Sequence, residues 1–241
     1  MQTHECYISY LDDVSETMVV KLQCDEPLSS YQAGQYLLMA IDGETYRPFS
    51  IASVSTQDTL ELHIRDNPEH HLRKSLHDKF KWKAPVSIQI PAGKCTLART
   101  KLDRPLLFIA GGTGYAPCHA MLQELFAMDD YPAIHLYWGG ARLEDLYLHE
   151  ELLKWASDNY SLSYVPVVQF PETDDEHAMR NGLVHDAVLE DISDLDKYDI
   201  FVSGSGPMVG AVHSALINAG ADADSIYSDM LDLGLAVFPK E

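Results

Sequence analysis

The sequence is poor in positive charge. Its 241 residues include 17 Lys and Arg against 37 Asp and Glu, which gives a formal net charge of −20 at pH 7. Proteins that bind nucleic acid neutralise phosphates with Lys and Arg, so we expect no nucleic-acid partner. Residues 1–100 hold 10 basic and 13 acidic side chains, whereas residues 101–241 hold 7 and 24. The acidic second half indicates either a solvated surface that favours solubility or a docking surface for a basic partner.

Long apolar segments are also lacking. No apolar run approaches the roughly 18 residues that a membrane-spanning helix needs. Met1–Glu5 is not a basic region followed by an apolar stretch, as a secretory signal would be. We therefore expect a cytoplasmic protein without a membrane partner.

Cysteine is scarce and scattered, at Cys6, Cys24, Cys95 and Cys118. No C-x-x-C pair occurs, and the spacing of a plant-type iron–sulfur site is absent. Such cysteines are typical of free thiols in a reducing compartment. Metalloprotease and nucleophile-elbow motifs are absent as well, and the histidines near His77 fit a solvated helix over 70–80. The sequence therefore predicts no metal site.

Residues 1–102 contain short β-rich runs separated by turns. One of them alternates apolar Leu60, Leu62 and Ile64 with polar Glu61, His63 and Arg65. This period of two is typical of a half-buried strand. Strands at this spacing predict a small antiparallel barrel or sandwich.

The pattern changes at Asp103–Pro105. Leu106–Ala110 is a continuous apolar run, as in a parallel strand buried on both faces. Strand-like and helix-like segments then alternate with short links, which predicts a parallel sheet with helices on both faces. We place the two domains at residues 1–102 and 103–241.

A glycine cluster, Ala110–Gly114, follows this buried strand and precedes a helical stretch. Glycines let a ligand approach the backbone, and a helix N-terminus attracts anions. The cluster predicts a pyrophosphate cradle, with a tight structural turn as the alternative. Pro117 stands where the usual dinucleotide fingerprint has its third glycine, and the acidic residue after the second strand is missing.

Two more glycine clusters stand at strand ends, Trp138–Gly140 and Ser203–Met208. All three would share the carboxyl edge of one parallel sheet, where such sheets bind ligands. Arg142 follows the second cluster. It either contacts the 2′-phosphate of NADPH or pairs at the surface with Glu144 or Asp145.

In the first domain, Arg47–Ser53 contains an arginine suited to a phosphate or a flavin carbonyl. Ser50 adds a hydroxyl that can hydrogen-bond a ring nitrogen. Taken alone, the segment is also compatible with an ordinary β-strand.

Arg47–Ser50, Gly111–Gly114, Trp138–Gly140 and Gly204–Met208, in this order, resemble the ferredoxin–NADP reductase superfamily. Within it the chain is most similar to the NAD(P)H:flavin oxidoreductases, including those linked to bacterial luciferase. The resemblance implies an antiparallel Greek-key β-barrel that binds flavin, followed by a parallel-sheet α/β domain that binds NADH or NADPH. It also implies hydride transfer from nicotinamide C4 to N5 of FMN, FAD or riboflavin.

The resemblance gives Ser50 the catalytic position beside flavin N5. It implies flavin contacts for Arg47, Pro48, Phe49, Ser50, His63 and Arg65, pyrophosphate contacts for Gly111, Gly112, Thr113 and Gly114, and further nucleotide contacts for Trp138, Gly139, Arg142, Ser203, Gly204, Gly206, Pro207 and Met208. Many relatives have cysteine where Ser203 stands. His63 and Arg65 fit core or surface positions equally well. Lys94 and Thr96 fall where relatives with bound FAD have a phosphate-contacting turn.

Three functions follow as hypotheses. The first is a flavin reductase that releases reduced flavin to a flavin-dependent monooxygenase or another electron acceptor. The second is a reductase with permanently bound FAD or FMN that feeds a separate iron–sulfur protein or oxygenase. The third is a non-catalytic nucleotide-binding module.

Overall fold

The computed structural model describes residues 1–26, 28, 30–42, 45–55, 59–66, 71–171 and 179–239. Its strands are β1 (Gln2–Val14), β2 (Thr17–Cys24), β3 (Tyr36–Asp42), β4 (Thr45–Ser50), β5 (Leu60–Arg65), β6 (Val86–Ala92), β7 (Leu106–Gly111), β8 (Ile134–Gly140), β9 (Leu162–Val168), β10 (Arg180–Asn181), β11 (Asp199–Ser203) and β12 (Ile226–Tyr227). Its helices are α1 (Leu72–Trp82), α2 (Tyr115–Phe126), α3 (His149–Asp158), α4 (Val184–Asp191), α5 (Gly206–Asn218) and α6 (Asp229–Asp232).

The first six strands form one antiparallel sheet in the order β4-β3-β6-β1-β2-β5. A bridge between Ile51, just after β4, and Leu62 on β5 joins the two ends of the sheet. This closure confirms the predicted antiparallel barrel. Apolar side chains of alternate strand positions fill its interior, among them Ile8, Leu22, Leu37, Leu60 and Ile88. Burying each such side chain contributes about 1.5–3 kcal/mol.

The remaining strands form a second sheet in the order β10-β9-β8-β7-β11-β12, in which every neighbouring pair is parallel. Leu106–Ala110 of β7 lies at its centre and is fully buried. This burial confirms the interpretation of that apolar run as a central parallel strand.

By their contacts, the residues form two compact units, one of 1–97 with 116–128 and one of 98–115 with 129–241. Most of α2 therefore belongs to the first unit, although α2 follows the first glycine turn in the chain. The domain bounds 1–102 and 103–241 stay a prediction. None of the helices within the described ranges is both long and apolar enough to span a bilayer.

The prediction of four free thiols was wrong for Cys6 and Cys24, which form a disulfide. These residues are directly opposite each other in the β1–β2 pairing, with their Cα atoms 4.0 Å apart. This proximity cannot be read from the spacing of Cys6 and Cys24 in the sequence, because the proximity depends on the register of the β1–β2 hairpin. Cys95 and Cys118 are buried and take no part in this disulfide.

Candidate active site

The segment Arg47–Ser53 divides into an accessible part and a buried part. Arg47, Phe49 and Ser50 are half-buried and Pro48 is exposed, so this part of β4 can be reached by a ligand. Residues 51–53, by contrast, are completely buried. The predicted flavin contacts of the motif therefore lie on the accessible side of a strand whose continuation is embedded in the barrel.

Backbone and hydroxyl hydrogen bonds hold the buried part. The N–H of Ile51 donates to the carbonyl of Gln35 at 3.0 Å, and the N–H of Ala52 donates to the carbonyl of Glu61 at 2.7 Å. The Ser53 hydroxyl accepts from the Glu61 N–H at 3.0 Å and lies 3.1 Å from the Tyr31 hydroxyl. Burial raises the pKa of Tyr31 to about 12, although the bond to Ser53 opposes the shift. Tyr31 therefore stays protonated and able to donate.

Helix α2 supplies a second support for the same segment. The Nδ1 of His119 lies 2.7 Å from the carbonyl oxygen of Ala52, and the Nε2 of Gln123 donates to that oxygen at 3.2 Å. The same Nδ1 lies 2.8 Å from Nε2 of Gln123, so the two side chains and the Ala52 carbonyl form one polar cluster. These contacts fix the backbone two residues after Ser50, which is the kind of support that a precisely placed hydroxyl needs.

Glu61 is the centre of a partly buried polar network. Its carboxylate accepts from Lys21 Nζ at 3.0 Å and lies 2.9 Å from His63 Nε2. Burial alone would raise the pKa of Glu61, but the hydrogen bond and charge of His63 and the bond from Lys21 lower it to about 2. Glu61 is therefore a carboxylate under all physiological conditions.

Glu61, His63 and His119 place one ligand atom each within 4.8 Å of one another, which is an arrangement that metal sites share. Here the ammonium of Lys21 already supplies a positive charge to the Glu61 carboxylate. The geometry is that of a self-compensated ion-pair network. We assign no metal to it.

The two predicted flavin contacts on β5 lie in different surroundings. The side chain of His63 is completely buried beside Glu61, and its ring centroid is 5.2 Å from that of His119. Arg65 is exposed and pairs with Glu16 at 2.7 Å. Both flavin contacts stay predictions.

The turn that resembles a phosphate-contacting turn is partly closed. Thr96 is buried, and its hydroxyl donates to the side-chain carbonyl of Gln32 at 3.1 Å. Lys94, in contrast, is exposed. The hydroxyl of Thr96 is therefore committed to the protein interior.

In the second unit, strand register brings the three glycine clusters to one edge. Gly111 of β7 is opposite Gly139 of β8, and Ala110 is opposite Ser203 of β11. Parallel strands in register end at the same level, so the turns that follow them lie side by side. This edge is the carboxyl edge, where open α/β sheets bind ligands.

The glycines of these turns are closely packed, and at Gly114 only glycine fits. A Cβ on Gly114 would lie 2.2 Å from the carbonyl oxygen of Ser203. The thioether of Met208 would lie 3.2 Å from a Cβ on Gly111 and 2.6 Å from one on Gly204. Gly112 and Thr113 complete a 3₁₀ turn that leads into α2. The glycines thus let three backbone segments and one methionine side chain meet.

Trp138 and Gly139 line the same edge from β8. The Trp138 indole is completely buried, donates from Nε1 to the carbonyl of Gly112 at 2.9 Å and stacks on Tyr115 with the ring centroids 4.3 Å apart. Trp138 therefore braces the first glycine turn. A nucleotide contact of its side chain stays a prediction.

Arg142 is exposed in the turn after β8. The carboxylate of Asp145 accepts from the backbone N–H groups of Ala141 and Arg142, at 2.9 and 3.1 Å. Asp145 thus binds the backbone of this turn. The side chain of Arg142 is displayed at the carboxyl edge.

Helix α5 begins at the third glycine cluster. Ser205 caps it, because its hydroxyl accepts from the Met208 N–H at 3.4 Å. Pro207 stands in the first turn, where its missing N–H costs nothing. The N-terminus of this 13-residue helix carries a partial positive charge.

Sequence reasoning missed Tyr31, Glu61, His119 and Gln123 as supports of the flavin motif. The alternation of apolar and polar residues marks Glu61 as a polar position on a half-buried strand. This alternation gives no indication that the carboxylate contacts His63 and Lys21. His119 and Gln123 are four residues apart on α2, so they lie on one helix face. That spacing is the one signal that pointed to a shared role.

Comparison with known proteins places the chain in a family. Residues 108–214 match the model of the oxidoreductase NAD-binding domain. The chain is 30% identical over 236 residues to the NAD(P)H-flavin reductase of Vibrio harveyi, a match that covers 94% of this chain and 98% of that protein. The chain belongs to the ferredoxin–NADP reductase superfamily. It falls in the group of NAD(P)H:flavin oxidoreductases and is an oxidoreductase that uses NAD(P)H and a flavin.

Two other relatives carry additional segments. The chain is 30% identical to the CDP-6-deoxy-L-threo-D-glycero-4-hexulose-3-dehydrase reductase of Yersinia pseudotuberculosis, covering 95% of this chain and 68% of that one. The crystal structure of the cytochrome P450 reductase GcoB of Amycolatopsis superposes with a TM-score of 0.83 at 26% identity, covering 95% of this chain and 69% of that one. These matches confirm the predicted two-part fold.

The carboxyl edge of the second sheet combines closely packed glycine turns with a helix N-terminus, which are features that suit an anion. Gly111, Gly114 and Gly204 let the turns of this edge pack closely, because a Cβ at these positions would meet Met208 or the Ser203 backbone. The N-terminus of α5 adds a partial positive charge at this edge. The pyrophosphate contacts of Gly111, Gly112, Thr113 and Gly114 stay a prediction.

We expect the network around Glu61 to stabilise the barrel in a pH-dependent way. Glu61→Gln removes the carboxylate from Lys21 and His63, and should lower the free energy of unfolding at pH 7 by about 1–3 kcal/mol. Because the folded pKa is depressed from 4.5 to about 2, this stabilisation is complete above pH 4.5 and disappears as the pH falls towards 2. Urea denaturation of both proteins between pH 3 and 7 measures it.

Glu16→Gln is the matched control, since Glu16 pairs with Arg65 at the surface. It should change stability by less than about 1 kcal/mol at any pH. A difference between wild type and Glu61→Gln that does not shrink in acid would contradict the role given to this carboxylate.

Proposed function

We propose that the protein is a flavin reductase that takes flavin as a dissociable substrate. Riboflavin, FMN or FAD enters, receives a hydride on N5 from C4 of NADH or NADPH, and leaves reduced. The burial of Thr96 carries this proposal, because a hydroxyl committed to Gln32 is not available to a flavin phosphate. The barrel half is also slightly acidic, with 13 acidic against 10 basic residues in positions 1–100. Both features disfavour tight retention of a flavin diphosphate.

The chain's residues bind and orient, since hydride transfer is chemistry of the two bound molecules. Arg47 would meet the flavin carbonyls, and Phe49 and Pro48 would line the ring. Ser50 would donate its hydroxyl near N5 from a strand fixed by Ala52 and its partners. The protein must also hold the reacting atoms roughly 3–3.5 Å apart.

The nicotinamide nucleotide would bind at the carboxyl edge of the second sheet. Gly111–Gly114 would hold its pyrophosphate, and Ser203–Met208 would flank the nicotinamide. Gly139 and Arg142 would lie towards the adenosine ribose. Backbone N–H groups, together with Arg142, would compensate the negative charge of the nucleotide.

The reduced flavin would pass to a flavin-dependent monooxygenase or another electron acceptor, in the cytoplasm. The Cys6–Cys24 disulfide is the feature that disfavours this location, since disulfides are rare there. A second candidate function is a reductase with permanently bound flavin. The likeness to the Yersinia reductase and to the Amycolatopsis P450 reductase favours it.

Flavin retention separates these two functions. Protein purified by gel filtration should contain far less than one flavin per chain by absorbance near 450 nm, and should oxidise NADH or NADPH only after riboflavin, FMN or FAD is added. A yellow protein with stoichiometric flavin that survives gel filtration would support the second function instead. Absence of turnover with every flavin would indicate a non-catalytic nucleotide-binding module.

Ser50→Ala should slow hydride transfer much more than it weakens NADH binding, because the hydroxyl acts at the flavin ring. Loss of one such hydrogen bond lowers kcat by roughly tenfold or more. Single-turnover reduction of flavin and titration with NADH measure the two effects separately. Ser55→Ala, at an exposed position in the same region, is the control and should behave like wild type. Equal losses in both steps would place Ser50 away from the flavin.

Arg142→Ala tests the coenzyme preference. A 2′-phosphate exists only on NADPH, so the variant should lower kcat/KM for NADPH by about tenfold, which corresponds to about 1.4 kcal/mol, while kcat/KM for NADH stays unchanged. Steady-state assays with both coenzymes give the ratio. A ratio equal to that of the wild type would show that Arg142 is only a surface charge.

A further inference from the structure

The C-terminal segment Leu233–Pro239, called here the tail, runs across the start of helix α5. Gly234, with a φ of 66°, turns the chain after α6. The N–H groups of Leu235 and Ala236 both donate to the carbonyl of Met230, at 2.8 and 3.0 Å. The N–H of Val237 then donates to the carbonyl of Gly206 at 2.9 Å. The tail is thus bonded to the first residue of α5.

Two glycines on one face of α5 make room for this crossing. A Cβ on Gly206 would lie 2.4 Å from the carbonyl oxygen of Leu235, and one on Gly210 would lie 2.0 Å from that of Val237. The two glycines are four residues apart, so they form one patch on the helix. The atoms that they would strike belong to the tail backbone. A side chain at either position would therefore displace the tail.

Glycine at position 210 lowers the intrinsic stability of α5, and its contact with the tail explains why glycine stands there. Glycine inside a helix lowers the stability of that helix by about 0.5–1 kcal/mol relative to alanine. Gly210 lies in the second turn of α5 and is buried under the tail. Helix stability therefore favours alanine at this position, and the passage of the tail favours glycine.

The side chains of the tail contribute little burial. Leu235, Val237 and Phe238 remain 55%, 56% and 50% exposed. Phe238 makes one edge-on ring contact with His213, with the centroids 5.5 Å apart. The position of the tail therefore depends on backbone contacts with the two glycines and on few side-chain contacts, among them Ala236 on the core and Phe238 on His213. An added methyl group, or the loss of the Phe238 ring, is enough to disturb it.

The turn that the tail contacts is the one that carries Pro207 and Met208. Met208 lies against Gly111 and Gly204, so this turn is packed directly on the first and third glycine clusters. Ser205 caps the same turn. Any shift of the first turn of α5 would therefore move the Met208 side chain and the backbone around Gly204.

We propose that the tail is a positioning element for the nicotinamide end of NAD(P)H, and that it acts by holding the first turn of α5 in place. The inference rests on the proposed function, which puts the nicotinamide beside Ser203–Met208. It assigns the tail no contact with the reacting atoms. Displacing the tail should therefore weaken binding of the nicotinamide half of the nucleotide and leave flavin binding unchanged.

Gly210→Ala is the main test, because its methyl group meets the Val237 carbonyl. We expect KM and Kd for NADH to rise by about fivefold or more, while KM for FMN and Kd for ADP-ribose stay within about twofold of wild type. ADP-ribose lacks the nicotinamide, so it reports on the rest of the site. Calorimetry with NADH and ADP-ribose needs no flavin turnover.

Phe238→Ala is the second variant. It removes the ring contact with His213 and so loosens the tail without introducing a clash. The test therefore stays decisive if Gly210→Ala fails to fold. It should raise Kd for NADH by about two- to fivefold. Asn218→Ala, at an exposed position near the end of α5, is the matched control and should equal wild type in all four measurements.

The outcomes separate the inference from the function on which it rests. Unchanged NADH binding in both tail variants, with a wild type that binds NADH and reduces flavin, would overturn the role of the tail alone. An equal loss of NADH and ADP-ribose affinity would also overturn it, because the whole nucleotide site would then have changed. Failure of the wild type to bind NADH would instead remove the proposed function.

Discussion

In the second sheet, β7, β8 and β11 pair in parallel so that Gly111 lies beside Gly139 and Ala110 beside Ser203. The candidate nucleotide site depends on this register, because it brings three backbone turns to one edge. The half of the chain that holds them has 7 basic against 24 acidic residues. Oriented N–H groups, as at turns and helix N-termini, can take the place of side-chain charge in binding an anion there.

The barrel has a different role, because it holds a short accessible segment, Arg47–Ser50, in a fixed position. Strand β4 ends at Ser50. Residues 51–53, which follow it, are buried and are held by backbone hydrogen bonds and buried polar groups. Glu61 contributes twice, with its backbone to Ala52 and Ser53 and with its carboxylate to His63 and Lys21. A half-buried carboxylate is tolerated here because its charge is matched by neighbours.

In the second unit, backbone segments approach each other closely at several glycines. Gly114 lies against the Ser203 carbonyl, and Gly206 and Gly210 lie against the tail. In each case the missing Cβ lets one segment fix the position of another. Close packing at glycine therefore shapes the first glycine turn, and it also joins the start of α5 to a segment some thirty residues further along the chain.

The sequence by itself determined the two kinds of sheet, the central strand Leu106–Ala110 and the order of the glycine clusters, because these follow from local periodicity and from glycine at strand ends. It also determined the family, through motifs that are contiguous in the chain. Only the tertiary structure decided that Cys6 faces Cys24, that His119 and Gln123 support Ala52, and that the tail crosses Gly206 and Gly210. These contacts join residues that are 18 to 71 positions apart, where strand register and helix docking set the distances and no local pattern records them.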